Sequence, residues 1–154
     1  MIRISKSGAP ESFHFDAADV DWKPFVTEGC FYRILHVNVP ERSAEMIVKF
    51  TPGGRCAWHR HAARVKTMVL QGDLQLYEPT PDGEKHSVKP AGSFSVSPGG
   101  EVHIEGSDEG DVIVYFSMQA ETDVIYEILH EDLSLRRAVT VQDFHDDWKS
   151  WEAR

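Results

Sequence analysis

Residues 53–61 read GGRCAWHRH, and residues 92–103 read GSFSVSPGGEVH. In the first stretch His59 and His61 stand two apart in a run of extended character, so their side chains share one face. In the second, Pro98-Gly99-Gly100 makes a turn that delivers His103 at the start of the next extended run. Three imidazoles on two separate segments predict one metal site. His14, His36, His86, His130 and His145 lack that joint spacing and read as ordinary surface or core residues, with His36 set apart only because its strand precedes the site.

Working outward, strand signals recur at short intervals on both sides. Gly29 to Val39 alternates, with Phe31, Arg33, Leu35 and Val37 on one face and Tyr32, Ile34, His36 and Asn38 on the other. Glu45 to Phe50, Val65 to Leu70, Leu74 to Tyr77, His86 to Lys89, Ser93 to Ser97, Glu101 to Glu105, Asp111 to Met118 and Asp123 to His130 continue the pattern. Gly and Pro clusters such as Pro79-Thr80-Pro81-Asp82-Gly83 separate them. Many short strands with turns every 8–12 residues predict an all-β sandwich or barrel. Near the C-terminus Thr140 is placed to cap a helix, with Asp143 three residues on where Glu or Gln is usual. Val141, Phe144, Trp148 and Trp151 then share one helical stripe that reads as packing against the barrel or a neighbouring subunit.

The two histidine stretches match the pair of motifs that define the cupin superfamily. Gly53, His59, His61 and Gly72 meet the first, and Gly92, Pro98, Gly100 and His103 meet the second at every position. The glutamate of the first motif falls at Val65, or at Lys66 with a spacer one residue longer, and neither supplies a carboxylate. The sequence therefore resembles the three-histidine branch of cupins, which includes acetylacetone dioxygenase. The Trp22-to-Leu35 region, the Pro52-Gly53-Gly54 before the histidines and His59-Arg60-His61 itself are also similar to 2,4'-dihydroxyacetophenone dioxygenase and its relatives.

The resemblance implies a cupin-type double-stranded β-helix, a jelly-roll barrel, with a short C-terminal helix. It implies a single cupin domain over residues 1–154, with an arm near 1–20, the barrel near 21–135 and the helix near 140–153. It further implies Fe(II) held by His59, His61 and His103, and oxidative C–C cleavage by O₂ in a small diketone, hydroxyketone or aromatic ketone.

Elementary chemistry agrees in part. Three neutral imidazoles leave positions open on a first-row cation, and an open position marks a reactive site. A site with no carboxylate keeps the full dication charge and favours an anionic bidentate ligand such as an enolate. Imidazole also binds Zn, Ni, Cu and Mn, so the residues alone do not select iron. Two other functions use the same site: a small-molecule sensor that turns nothing over, and a metal-assisted isomerase or lyase.

Pocket walls are read from strands that a barrel turns inward. Trp58, Met68, Tyr77, Val114, Phe116 and Met118 are the candidates. Glu101 and Glu105 flank His103 at the same parity, and either suits the role of acceptor for an imidazole N–H, with Glu101 preferred. Arg33, Arg55 and Arg64 are available to steer an acidic substrate. Lys66 faces outward, or inward to pair with a substrate carboxylate or with Glu101.

Composition narrows the class. The chain has 154 residues, 41% of them hydrophobic, and a formal net charge of −9, so it can bury a core and offers no basic block for nucleic acid or anionic membrane. No apolar run approaches the roughly 18 residues of a membrane span. The stretch MIRISKSGAPESFHF lacks a secretory pattern, and the expected location is cytoplasmic. Cys30 and Cys56 are the two cysteines; a disulfide between them has no support, and a reduced chain is the simpler account. The expected partners are a small-molecule substrate and further copies of the chain, in a homodimer or higher oligomer.

Overall fold

The computed structural model describes residues 20–152. The arm expected near residues 1–20 therefore lies outside the described residues except for Val20, as does position 153 at the end of the expected helix.

Among the described residues the alternating runs become twelve strands. β1 (Lys23–Pro24), β2 (Cys30–Asn38) and β3 (Ser43–Phe50) precede the first histidine segment, β4 (His59–His61). β5 (Arg64–Gln71), β6 (Asp73–Thr80), β7 (Gly83–Pro90) and β8 (Phe94–Ser97) lead to the second, β9 (Val102–Gly106). β10 (Val112–Gln119), β11 (Val124–Leu129) and β12 (Leu135–Thr140) complete the strands, and helix α1 (Val141–Glu152) follows. All pairings are antiparallel and build two six-stranded sheets, β1-β2-β3-β10-β5-β8 and β12-β11-β4-β9-β6-β7. This is the all-β jelly-roll barrel with a short C-terminal helix that the motifs imply.

The core lies between the facing sheets. Phe50, Val69, Leu74, Val112, Val114, Met118 and Ile125 are almost completely buried there. Side chains of this kind each contribute about 2 kcal/mol by leaving water. The strongest apolar run, β10, takes the interior of its sheet between β3 and β5, with Val112, Val114, Phe116 and Met118 buried on the inner face and Tyr115 and Ser117 half-buried on the outer one.

Three local features depart from simple alternation. In β2 the register slips between Ile34 and His36, a β-bulge. The expected face sharing of Arg33, Leu35 and Val37 is thereby broken: Ile34 and Val37 are both buried, while Leu35 and His36 are exposed. Second, the strands run on through β12 to Thr140 rather than ending near residue 135. Leu135, Arg136 and Arg137 hide this strand from hydrophobic patterning, since an edge strand tolerates charge. Third, residues 29 and 54 cross at contact distance. A Cβ on Gly54 would stand 2.2 Å from the Gly29 carbonyl oxygen, so only glycine lets the loop before β4 lie against the start of β2.

The helix begins as the sequence predicts. Asp143 N–H donates to Thr140 Oγ1 at 3.1 Å, and Thr140 N–H donates to Asp143 Oδ2 at 2.9 Å. Aspartate completes this capping box in place of glutamate. Val141 and Phe144 enter the core and Trp148 packs against it. Trp148 also meets His36 of β2, and the Arg33 guanidinium of β2 lies over Trp151. The helix stripe thus closes on its own barrel.

Candidate metal centre

β4 is only three residues long, and alternation turns His59 and His61 inward while Arg60 points away. On one side β4 pairs with β11, setting Tyr126 opposite His61 and Ile128 opposite His59. On the other it pairs with β9, setting His103 directly opposite His59. The turn before β9 is anchored by Gly100 N–H donating to the His61 carbonyl at 2.6 Å, with Gly100 at φ 94°. That left-handed conformation accounts for the glycine of the second motif.

The three rings converge. Nε2 of His59 lies 3.1 Å from Nε2 of His61, which lies 3.0 Å from Nε2 of His103. A fourth donor joins them from β9 itself. Glu105 Oε1 stands 3.4 Å from His59 Nε2 and 3.2 Å from His103 Nε2. All four donor atoms fall within 4.8 Å of one another.

This donor set fits a first-row cation. Adjacent ligand atoms about 2.1 Å from a metal are spaced roughly 3.0–3.4 Å, the spacing seen here. Imidazole nitrogens this close cannot all be satisfied by one another, because each contact holds at most one proton. His59 Nδ1 donates to the Ala57 carbonyl at 3.0 Å, which fixes the ring with its Nε2 aimed at the centre. Cys56 Sγ lies 3.5 Å from the same Nδ1 and accepts the Glu105 backbone N–H at 3.2 Å. Four donors leave a six-coordinate cation two positions short of saturation.

The charges follow from burial and proximity. Burial opposes ionisation of Glu105, but His103 and His59 outweigh it and hold the carboxyl well below its ordinary value. Burial likewise disfavours a charged His59, yet Cys56 and Glu105 overcome it and raise this imidazole well above 6.5. His61 is pushed well below 6.5 by burial and by its neighbours His59 and His103. The centre therefore pairs a carboxylate with a proton on His59 beside a neutral His61.

His59, His61 and Glu105 form part of the lining of a cavity of about 460 Å³. Phe116 and Met118 lie on its wall, together with Tyr126, Ile128, Met46 and Phe144. Other expected wall residues are elsewhere. Trp58 is adjacent to His59, so alternation sends it to the opposite face, and it is not among the lining residues. Met68 is 39% exposed on the outer face, opposite Tyr115. Tyr77 is on the outer face of its sheet, stacked on His86 at 4.7 Å and bonded by Arg55 Nη2 at 2.9 Å. Val114 is core rather than lining.

The carboxylate preference is reversed as well. Glu101 stands outside the donor cluster and contributes its backbone carbonyl to His61 N–H instead, whereas Glu105 supplies the side chain. Val65, at the position of the motif glutamate, is buried in the core, and Lys66 is exposed and faces outward. The carboxylate has in effect moved from β5 to β9. Parity with His103 is the sequence signal for Glu105; its choice over Glu101 needs the tertiary structure, which leaves Glu101 just before β9 and Glu105 within it. Arg33, Arg55 and Arg64 do not line the cavity, while Arg137, which sequence reasoning missed, does. Both cysteines are free, and burial, followed by Cys56, pushes the Cys30 thiol far up, so neither pairs and Cys30 is inert.

Comparison with known proteins places this architecture. An RmlC-like cupin protein from Ralstonia eutropha is 18% identical with a TM-score of 0.70, covering 94% of this chain and 89% of that one. An acetylacetone dioxygenase from Acinetobacter johnsonii is 15% identical with a TM-score of 0.70, covering 91% and 93%. A polyketide cyclase from Streptomyces resistomycificus is 20% identical with a TM-score of 0.58, covering 79% and 89%. At such identities the likeness concerns the fold alone. No curated protein matches the sequence at a significant level. The family model of the ChrR cupin-like domain matches residues 10–121. With that match spanning well over half its length, the chain belongs to the ChrR cupin-like domain family.

Proposed function

We propose that this protein is a metal-dependent cupin enzyme, an Fe(II) dioxygenase that cleaves a carbon–carbon bond in a small diketone, hydroxyketone or aromatic ketone. The observation that carries the reading is the convergence of three imidazole nitrogens and one carboxylate oxygen, with His59, His61 and Glu105 on the wall of a largely apolar cavity. A bound first-row dication supplies Lewis acidity toward an enolate oxygen, and iron adds the redox capacity that O₂ chemistry requires.

The chain's own residues account for the rest. Glu105 offsets part of a dication's charge and His59 Nδ1 is held by Ala57, so the donor set is preorganised. Phe116, Met118, Ile128 and Phe144 exclude water from a ligand beside the centre. The dioxygenase of the same fold supports the choice of chemistry, and the cavity volume suits a small ketone.

The test is oxygen uptake by iron-loaded protein with a panel of β-diketones and hydroxyacetophenones. Uptake matched to cleavage products is the expected result. Conversion without O₂ would replace the dioxygenase by an isomerase or lyase, and binding without conversion would replace it by a sensor. Loading with Zn, Ni, Cu or Mn in parallel identifies the competent metal. The proposal extends to a cytoplasmic homodimer, its quaternary part being read by sedimentation velocity.

A further inference from the structure

Two polar groups face the cavity and take no part in the donor cluster. Tyr126 of β11 and Arg137 of β12 both line it. Across the sheet Arg137 lies opposite Ile128, and Ile128 lies opposite His59. The three positions form one row, which sets the Arg137 backbone two strand spacings, roughly 10 Å, from that of His59. Tyr126 pairs with Val139 on β12, so Tyr126 and Arg137 are diagonal neighbours on the inner face, close enough for long side chains to act together.

Neither the Tyr126 hydroxyl nor the Arg137 guanidinium has a hydrogen-bond or ion-pair partner among the described residues. The hydroxyl is not sealed off either, since it is absent from the buried unpartnered atoms. The other charged groups at this end of the cavity are engaged. Asp147 takes Lys23 and the Tyr32 hydroxyl, and Asp143 holds the helix cap. Asp146 accepts from Gln142 at 2.8 Å and projects mostly into solvent. Burial, then the nearby cysteines, keeps the Tyr126 phenol protonated and thus a donor, against an opposing influence from Arg137.

We propose that Tyr126 and Arg137 form an anion subsite, and that the cavity takes a small ketone bearing a carboxylate at the end remote from the donor cluster. Resting on the diketone or hydroxyketone reading above, this specifies its substrate class. Ketone oxygens face the His59, His61, His103 and Glu105 cluster. The carboxylate accepts from the guanidinium in a forked pair and from the Tyr126 hydroxyl. The apolar wall formed by Ile128, Met46 and Phe116 covers the carbon chain between the two poles.

Anaerobic titration calorimetry of Zn-loaded protein tests this with two probes that share a β-diketone, 4,6-dioxoheptanoate and the neutral heptane-2,4-dione. Wild-type protein is expected to bind the acid roughly tenfold more tightly, with the preference shrinking as salt is raised. Arg137→Gln should weaken the acid roughly tenfold more than the neutral diketone, and Tyr126→Phe should lower the preference severalfold. Equal weakening of both probes by Arg137→Gln would overturn the subsite. If the neutral diketone binds wild-type protein and the acid gains nothing, the subsite falls and the diketone reading stands. If the loaded protein binds neither probe, both fall.

Discussion

At the scale of single residues, Glu105 determines the charge of the centre before any cation arrives. Its carboxylate sits between His59 and His103 and, after Cys56, helps hold a proton on His59. Metal binding must displace that proton. Calorimetry at pH 7 in buffers of different ionisation enthalpy should therefore report about one proton released per cation. Release of none would mean His59 is already neutral. The same shift bears on stability. A folded-state value raised above 6.5 makes the His59–Glu105 pair stabilising below pH 6.5, and that contribution is lost as pH rises through the folded value. Melting temperature of the metal-free protein should accordingly fall toward alkaline pH, and Glu105→Gln should reduce that slope, with Cys56 left to sustain the remainder. Glu105→Gln should also weaken metal binding on the order of 100-fold, measured by chelator competition. His59→Ala should abolish loading, measured by elemental analysis.

Among the elements, α1 links the end of the barrel to the cavity. Its capping box satisfies the first backbone donors, and Phe144 one turn later meets Tyr126 with ring centroids 5.9 Å apart. Thr140→Ala should cost about 1 kcal/mol in urea denaturation. Because Phe144 also lines the cavity, ligand affinity should drop in the same variant. The contact of Gly54 with Gly29 sets a sharper limit. Gly54→Ala places a methyl group against a backbone oxygen that cannot swing aside, and a loss on the order of 3 kcal/mol is expected from the same measurement.

For the whole molecule, the centre joins segments far apart in the chain. β4 and β9 carry the donors, and β11 and α1 cover them. A cation bound there ties these elements together only in the folded state. Saturation at about a hundredfold excess over the dissociation constant adds about 2.7 kcal/mol of stability. For a domain of this size that corresponds to a melting temperature raised by roughly 5–10 °C. Scanning calorimetry with and without metal checks this, and a chelator should reverse it. An unchanged melting temperature on loading would mean that the four donors do not act as one site.

The sequence by itself determined an all-β chain of short strands and, through its resemblance to the cupin motifs, the jelly-roll barrel and the histidine part of the centre. Strand period, Gly and Pro punctuation and the spacing of Gly53, His59, His61, Gly92, Pro98 and His103 are local, and within an unbroken strand local order dictates which side chains share a face. It left open everything that depends on how far along a strand a residue sits or on what lies across the sheet. A one-residue bulge put Leu35 and Val37 on opposite faces. The placement of β9 brought Glu105, which lies within it, rather than Glu101, just before it, to the imidazoles. Alternation relative to the partner strand put Met68 and Tyr77 outside, and an unpatterned edge strand carried Arg137 to the cavity. Those outcomes follow from pairing register between segments distant in the chain, which is established only when the two sheets close around their core.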